Sequence, residues 1–417
     1  VAGAAGEGAG AGGVAGDGGA LPRTGSIIED ATAAITSMEN SYVAVQGPPG
    51  SGKTYSGSRI IRALVERHGW RVGVVAQSHA VVENMLAGVV KAGLDPARVG
   101  KDKVKHPAPT WTAGALPAFM ARHGSGYVVG GTAWDFTNAG TVPRGELDLL
   151  VVDEAGQFSL GNTIAVSVAA RRLLLLGDPQ QLPQVSQGTH AEPVDTSALG
   201  WLMAGHATLP ARFGYFLAQS YRMHPEVCRR VSVLSYDGEL TSTPQASARS
   251  LEGVAPGVEV VMVDHAGNRT ESAEEAAAVV DLVRAHLGRV WRDPDDSGAP
   301  RALREEDVLV VAPYNAQVQM VREALVRAGY GGVRVGTVDK FQGQEAPLAV
   351  ISMAASSHGD VPRGMPFLLN RNRLNVGVSR AQWKSVVVRS EALTAYMPAT
   401  AGELLELGAF IGVCEGA

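Results

Sequence analysis

The chain has 417 residues, enough for two or three domains, and 45% of them are hydrophobic, so a sizeable core can form. Lys and Arg number 36 against 41 Asp and Glu, and the net charge of -5 excludes a uniformly basic nucleic-acid coat while leaving room for a local basic channel. Two cysteines far apart, Cys228 and Cys414, exclude a disulfide framework, a four-cysteine zinc site and an iron–sulfur cluster.

Residues 1–20 hold nine Gly and seven Ala, a stretch with little side chain to pack, and 1–21 reads as a flexible linker. Apolar runs at 42–45, 71–76, 127–130, 147–152 and 172–176 are short and bounded by turn residues, as buried parallel strands are. A helical pattern after Gly52 lies between the first two, which is the signature of βαβ units in an α/β fold with a parallel sheet. A second series has strands expected at 258–263, 307–311, 333–337, 348–352 and 384–388. Ser272 and Glu275 predict a capping box opening a helix over 273–287, and 315–328 reads as another amphipathic helix. The run 292–304, with its DPDDSG cluster, reads as a surface loop. The expected domains are 22–208 and 209–395, two copies of one architecture, followed by a tail over 396–417. No apolar run approaches the roughly 18 residues of a membrane span and no signal segment opens the chain, so the expectation is a soluble cytoplasmic protein. The start at Val1 rather than Met is what a piece of a longer protein would show.

Three strings carry chemistry. GPPGSGKT (47–54) follows an apolar strand and precedes a helix. In such a loop Gly47, Pro48, Pro49, Gly50, Ser51 and Gly52 wrap phosphate oxygens with backbone N–H groups, Lys53 reaches the β- and γ-phosphates, and Thr54 holds Mg²⁺. LDLLVVDEAGQ (147–157) ends a strand in two acids: Asp153 for Mg²⁺, Glu154 to orient and deprotonate the attacking water, with Gln157 beside them. LLLLGDPQQLPQV (173–185) runs a strand into a polar loop where Gln181 can sense the γ-phosphate and Asp178 can tie the loop to the acids. ATP and Mg²⁺ are therefore the expected cofactors.

With VVAQSHAVVENM (74–85), GGTAWDF (130–136), QSYRMHPEV (219–227), APYNAQV (312–318), VGTVDKFQGQE (335–345) and NRNRLNVGVSRA (370–381), the three strings resemble superfamily 1 helicases of the nonsense-mediated-decay helicase type and their DNA-acting relatives. The resemblance covers residues 26–390. It implies two tandem RecA-like P-loop domains with parallel sheets, ATP between them and single-stranded nucleic acid across their top. It implies that Arg222 and Arg380 act with Lys53, Glu154 and Gln181 on the γ-phosphate. It also implies that Gln342, Gly343 and Glu345 link nucleotide to strand, and that Thr132, Thr337 and residues 77–79 touch the sugar–phosphate backbone. Hydroxyl, amide and backbone donors suit phosphate without reading sequence. The chain departs from the family in having no glutamine between Leu21 and Val45, Gln382 in place of Arg and Gly377 in place of Ala, and it lacks most accessory insertions.

Trp134 reads either as a core residue or as a base-stacking platform, Tyr314 either as a neighbour of the adenine or as a strand cap, and Lys101, Lys103, Lys105 and His106 either as a nucleic-acid contact or as a solvated run. The expected function is an ATP-dependent translocase or helicase, acting as a monomer on single-stranded nucleic acid, DNA ahead of RNA, with 5′ to 3′ movement implied by the resemblance alone. The alternatives are an ATP-gated clamp that does not unwind, and the motor half of a protein fused to, or partnered by, a RecB-type nuclease.

Overall fold

A computed structural model describes residues 20–106, 108–184, 188, 190–294 and 299–415. The segment 1–19, most of the expected linker, and 295–298 of the expected loop lie outside the described residues. The chain divides into two compact units: one is the chain through Gln46, with Lys53–Pro179 and Gln184–Phe216, and the other is Gly47–Gly52, Gln180–Pro183 and Leu217–Ala417.

The first unit is built on an eight-stranded sheet of β1 (Tyr42–Gln46), β2 (Arg71–Val75), β3 (Val99–Lys101), β4 (Thr112–Ala113), β5 (Tyr127–Gly131), β6 (Leu149–Asp153), β7 (Leu173–Gly177) and β8 (Gly214–Phe216), in the order β4-β3-β5-β2-β6-β7-β1-β8. All of its pairings are parallel. Its central strands are near-continuous apolar runs because helices cover both faces. The helix Lys53–His68 turns Ile60, Ile61 and Leu64 inward, and at Gly57 a Cβ would lie 2.6 Å from Leu176 Cδ1, so only glycine allows this close approach to the sheet. Phe136, Phe158, Leu150 and Leu199 belong to the core beneath. Sequence reading missed β3, β4 and β8, two or three residues each, too short for a period to show. β8 carries the unit to Phe216, past the boundary expected at 208, and Arg23 fastens it by donating to Gly214 O at 2.8 Å.

The second unit contains a five-stranded parallel sheet of β12 (Gly257–Met262), β15 (Val308–Val311), β16 (Arg334–Gly336), β17 (Ala346–Ser352) and β18 (Ala381–Arg389), ordered β12-β18-β17-β15-β16. Beside it are the parallel pair β9 (Gln219–Ser220) and β10 (Thr241–Ser242), and an antiparallel sheet of β11 (Ser250–Leu251), β13 (Val290–Arg292) and β14 (Arg301–Ala302). The expected loop 292–304 is therefore anchored at both ends by strands, because Trp291 and Leu303 bury against Leu251 and Trp383. The helix Ala273–His286 has half of its expected capping box: Ser272 Oγ accepts from Glu275 N at 3.1 Å. The Glu275 carboxylate turns inward instead, to His265, Ser352 Oγ and Ala354 N. The expected tail contains a helix, Ala401–Glu415, which buries Leu407, Phe410, Val413 and Cys414. Among the described residues no helix is long and apolar enough to cross a membrane.

Candidate active site

β1 ends at Gln46, the helix of the phosphate loop begins at Lys53, and Gly47–Gly52 bridge them. Gly50 and Gly52 take φ of +71° and +79°, which side chains resist. Close approach adds to the demand at Gly50: a Cβ there would lie 2.4 Å from Arg222 Cβ. Pro49 O accepts from Ser220 Oγ at 3.0 Å and Gly50 O from Tyr221 N at 2.8 Å. Ser51 Oγ is buried and has no hydrogen-bond partner among the described residues. Thr54 stands in the first turn of the helix.

The acid pair stands at the end of β6. Lys53 Nζ lies 2.7 Å from Glu154 Oε2, with both side chains mostly buried. Asp153, the last residue of β6, is buried and receives Glu154 N at 2.9 Å. Burial pushes the Asp153 carboxyl up to about 6, and the charge of Glu154 adds to that against the pull of Lys53. Burial works against the Lys53 ammonium too, but Glu154, Asp153 and Asp178 outweigh it and raise Lys53 above its ordinary value. Glu154 itself sits at φ +54°, a left-handed conformation that an ordinary side chain seldom adopts. Gln157 N donates to Glu154 O at 2.7 Å, and Gln157 O accepts from Gln77 Nε2.

The loop after β7 is locked to the acid loop backbone to backbone. Ala155 N donates to Leu176 O at 2.7 Å, and a Cβ on Gly156 would lie 2.5 Å from the Asp178 carbonyl oxygen. Asp178 Oδ1 accepts from Gln46 Nε2 at 3.3 Å. Gln181 is nearly buried, and Asn372 and Asn375, on the helix Arg371–Val378, donate to the carbonyls of Gln181 and Gln180. Both asparagines lie within a quoted string, but nothing in the sequence separates them from their neighbours.

In the second unit Arg222 Nε donates to Glu345 Oε2 at 2.6 Å and Arg222 Nη1 to Ser379 O at 3.1 Å; Gln382 Nε2 takes the other Glu345 oxygen at 2.9 Å. Burial alone would raise the Glu345 carboxyl, but the charge and hydrogen bond of Arg222 hold it below its ordinary value. Arg380 is buried, donating to Val376 O, Phe341 O and Gln344 O at 2.8–3.2 Å and to Ser379 Oγ. Gln342 closes the turn Val338–Phe341, and Gly343 follows at φ +80°. Arg249 escaped sequence reading: it reaches Asp293 at 3.0 Å and donates to the carbonyls of Tyr221 and Arg222, yet lies in no motif.

Burial separates the three open readings. Trp134 is 84% exposed, so it is not a core residue. Lys101 is fully buried, whereas Lys103, Lys105 and His106 are exposed. Tyr314 precedes the helix Asn315–Arg327 with its ring 5.7 Å from Phe367, and its hydroxyl is buried without a partner among the described residues.

Residues 29–198 and 195–392 each match a family described as AAA domain. The chain is 24% identical over 380 residues to the DNA replication ATP-dependent helicase/nuclease JHS1 of Arabidopsis thaliana, covering 86% of this chain and 28% of that protein. It is 29% identical over 264 residues to the DNA-binding protein SMUBP-2 of Rattus norvegicus, covering 59% of this chain and 25% of the relative. A solved arterivirus nonstructural protein 10 (helicase) with DNA is 18% identical, with a TM-score of 0.46 and coverage of 88% of this chain and 62% of that one. Over both matches the chain is similar to the superfamily 1 helicases. It spans about a quarter of the length of the two curated relatives named here. The family uses nucleotides, and the residues fit a magnesium nucleotide: a glycine-lined loop with an orphaned Ser51 hydroxyl, a lysine among three acids, and a buried Asp153 beside Glu154.

Proposed function

We propose that this chain is the motor of an ATP-dependent nucleic-acid helicase or translocase that hydrolyses ATP and moves along a single strand. The observation that carries the reading is the Lys53–Glu154 pair, 2.7 Å apart, set between a phosphate loop and a strand end bearing Asp153. Lys53 binds the phosphate charge, which frees Glu154 to turn to the attacking water and take its proton. Mg²⁺, held by Thr54 and Asp153, would draw off charge from the phosphate oxygens. Ser51 Oγ and the loop N–H groups supply donors. Gln157 and Gln181 are candidates to position the water and sense the γ-phosphate. Arg222 and Arg380 are the second unit's candidates to stabilise charge on the transferring group, and Gln342, Gly343 and Glu345 to pass its state to the strand.

The nucleic acid is proposed to be a single strand, DNA ahead of RNA, gripped through its backbone; the names of the relatives above, a helicase/nuclease and a DNA-binding protein, support that choice. The first name also supports a motor joined to, or partnered by, a nuclease. A clamp and a motor share every binding residue, so the test is a strand-displacement assay on a duplex carrying a 5′ single-stranded tail. ATP-dependent displacement is expected. Strand-stimulated hydrolysis with no displacement and no movement along a single strand would assign the chain to the clamp reading.

A further inference from the structure

The carboxyl ends of β2, β5 and β3 lie side by side: Val75 is opposite Gly131, and Gly130 is opposite Lys101. Neighbouring strands are about 4.8 Å apart, so the three loops that follow form one ledge at the edge of the sheet where open α/β folds bind ligands. On that ledge stands Trp134, with 84% of its surface exposed.

The turn that carries Trp134 is braced. Asp135 Oδ2 accepts from Thr132 N at 2.7 Å and from Thr132 Oγ1 at 3.0 Å. Phe136, two residues on, is wholly buried. The backbone is thus held on both sides of an indole that rests on little, although an exposed tryptophan adds little to folding.

The adjacent loop is braced as well, by the buried Lys101. Its Nζ lies 2.9 Å from His79 Nδ1 and 3.3 Å from Glu83 Oε1, and donates to Asp102 O at 2.9 Å and Lys103 O at 3.1 Å. Glu83 Oε1 also accepts Lys105 N at 2.7 Å. Lys103 and Lys105 therefore project from a fixed backbone. The acids of the ledge are engaged: Asp135 with Thr132, Asp102 with Lys103 N, and Glu83 with Lys101.

We propose that Trp134 is a base-stacking platform for a single strand, with Lys103 and Lys105 holding the phosphates beside it. An exposed indole on the same ledge as exposed lysines suits a nucleic-acid strand better than an apolar protein surface, because every base has a face to stack and every nucleotide carries a charge. The inference rests on the nucleic-acid reading above and adds to it a contact to bases rather than to backbone.

The test compares a 12-nucleotide oligothymidylate with an abasic strand of equal length and charge, binding measured by fluorescence anisotropy at two salt concentrations. The parent is expected to favour the strand with bases. Trp134→Ala should lose roughly tenfold on that strand and much less on the abasic one, and Trp134→Phe should keep most of the preference. Replacing Lys103 and Lys105 by Ala should weaken both strands alike and reduce the salt slope by about 2. The melting temperature of Trp134→Ala reports its folding. A folded Trp134→Ala that binds as the parent does, or loses both strands equally, overturns the platform while the motor reading stands. A parent that binds neither strand at low salt overturns both.

Discussion

Glu154, the proposed general base, sits in an unusual backbone. A carboxylate at φ +54°, 2.7 Å from a lysine, directly follows a buried Asp153. The residue types, their order and their place at a strand end were legible in VVDEAGQ, because an apolar run that stops in two acids about 100 residues after a phosphate loop points to a magnesium and water site more than to a solvated strand end. The left-handed turn was not legible, since it arises from the packing of Ala155 and Gly156 against the next loop. Asp153 lends itself to a stability test. Its carboxyl sits at about 6, above the roughly 3.9 of an unfolded chain, so the folded state holds the proton more tightly and loses stability as pH rises through that interval. Above pH 6 the full cost is present. With magnesium chelated at pH 7.5, Asp153→Asn should therefore be more stable than the parent by roughly 1–3 kcal/mol, at about 1.4 kcal/mol per pH unit. The gap should narrow as pH falls from 6 towards 4. Urea melts at several pH values measure this, and a variant less stable than the parent at pH 7.5 would contradict the burial argument.

At the scale of elements, what the sequence announced were the long, strongly apolar strands and the periodic helices. Strands of two or three residues, such as β3 and β8, hold their places through neighbours far away in sequence, here β5 and β1, and so leave no local pattern. The helix Ala401–Glu415 is apolar enough to be buried but carries no motif to announce its role. The join between the loops after β6 and β7 depends on a missing side chain. Gly156→Ala would place a Cβ 2.5 Å from the backbone of Asp178, with no flexible group to yield. The expected result is a loss of about 1–3 kcal/mol of stability, as for other overpacked sites. Nucleotide turnover should fall further than stability accounts for, since Glu154 and Asp178 are displaced together. Chemical denaturation and steady-state hydrolysis of the same preparation measure both. Parental turnover in Gly156→Ala would mean that the two loops need not meet.

For the whole molecule, the duplication of one α/β architecture was readable from two series of strands, and the order of nine motif strings carried the family. The domain limits shifted where edge strands and a C-terminal helix attach through tertiary contacts alone. Net charge said little, since a chain of -5 can still present exposed lysines on one ledge. The central claim is that ATP hydrolysis by this chain is driven by a nucleic-acid strand and performed by Glu154. The most direct measurement is steady-state ATP hydrolysis by the purified chain, with and without a single-stranded oligonucleotide, beside Glu154→Gln under the same conditions. Stimulation of tenfold or more by the strand is expected, together with loss of at least 99% of that rate in Glu154→Gln while nucleotide affinity stays within a few-fold of the parent. A parental rate indifferent to both DNA and RNA strands at low salt, or a Glu154→Gln variant as fast as the parent, would contradict the account.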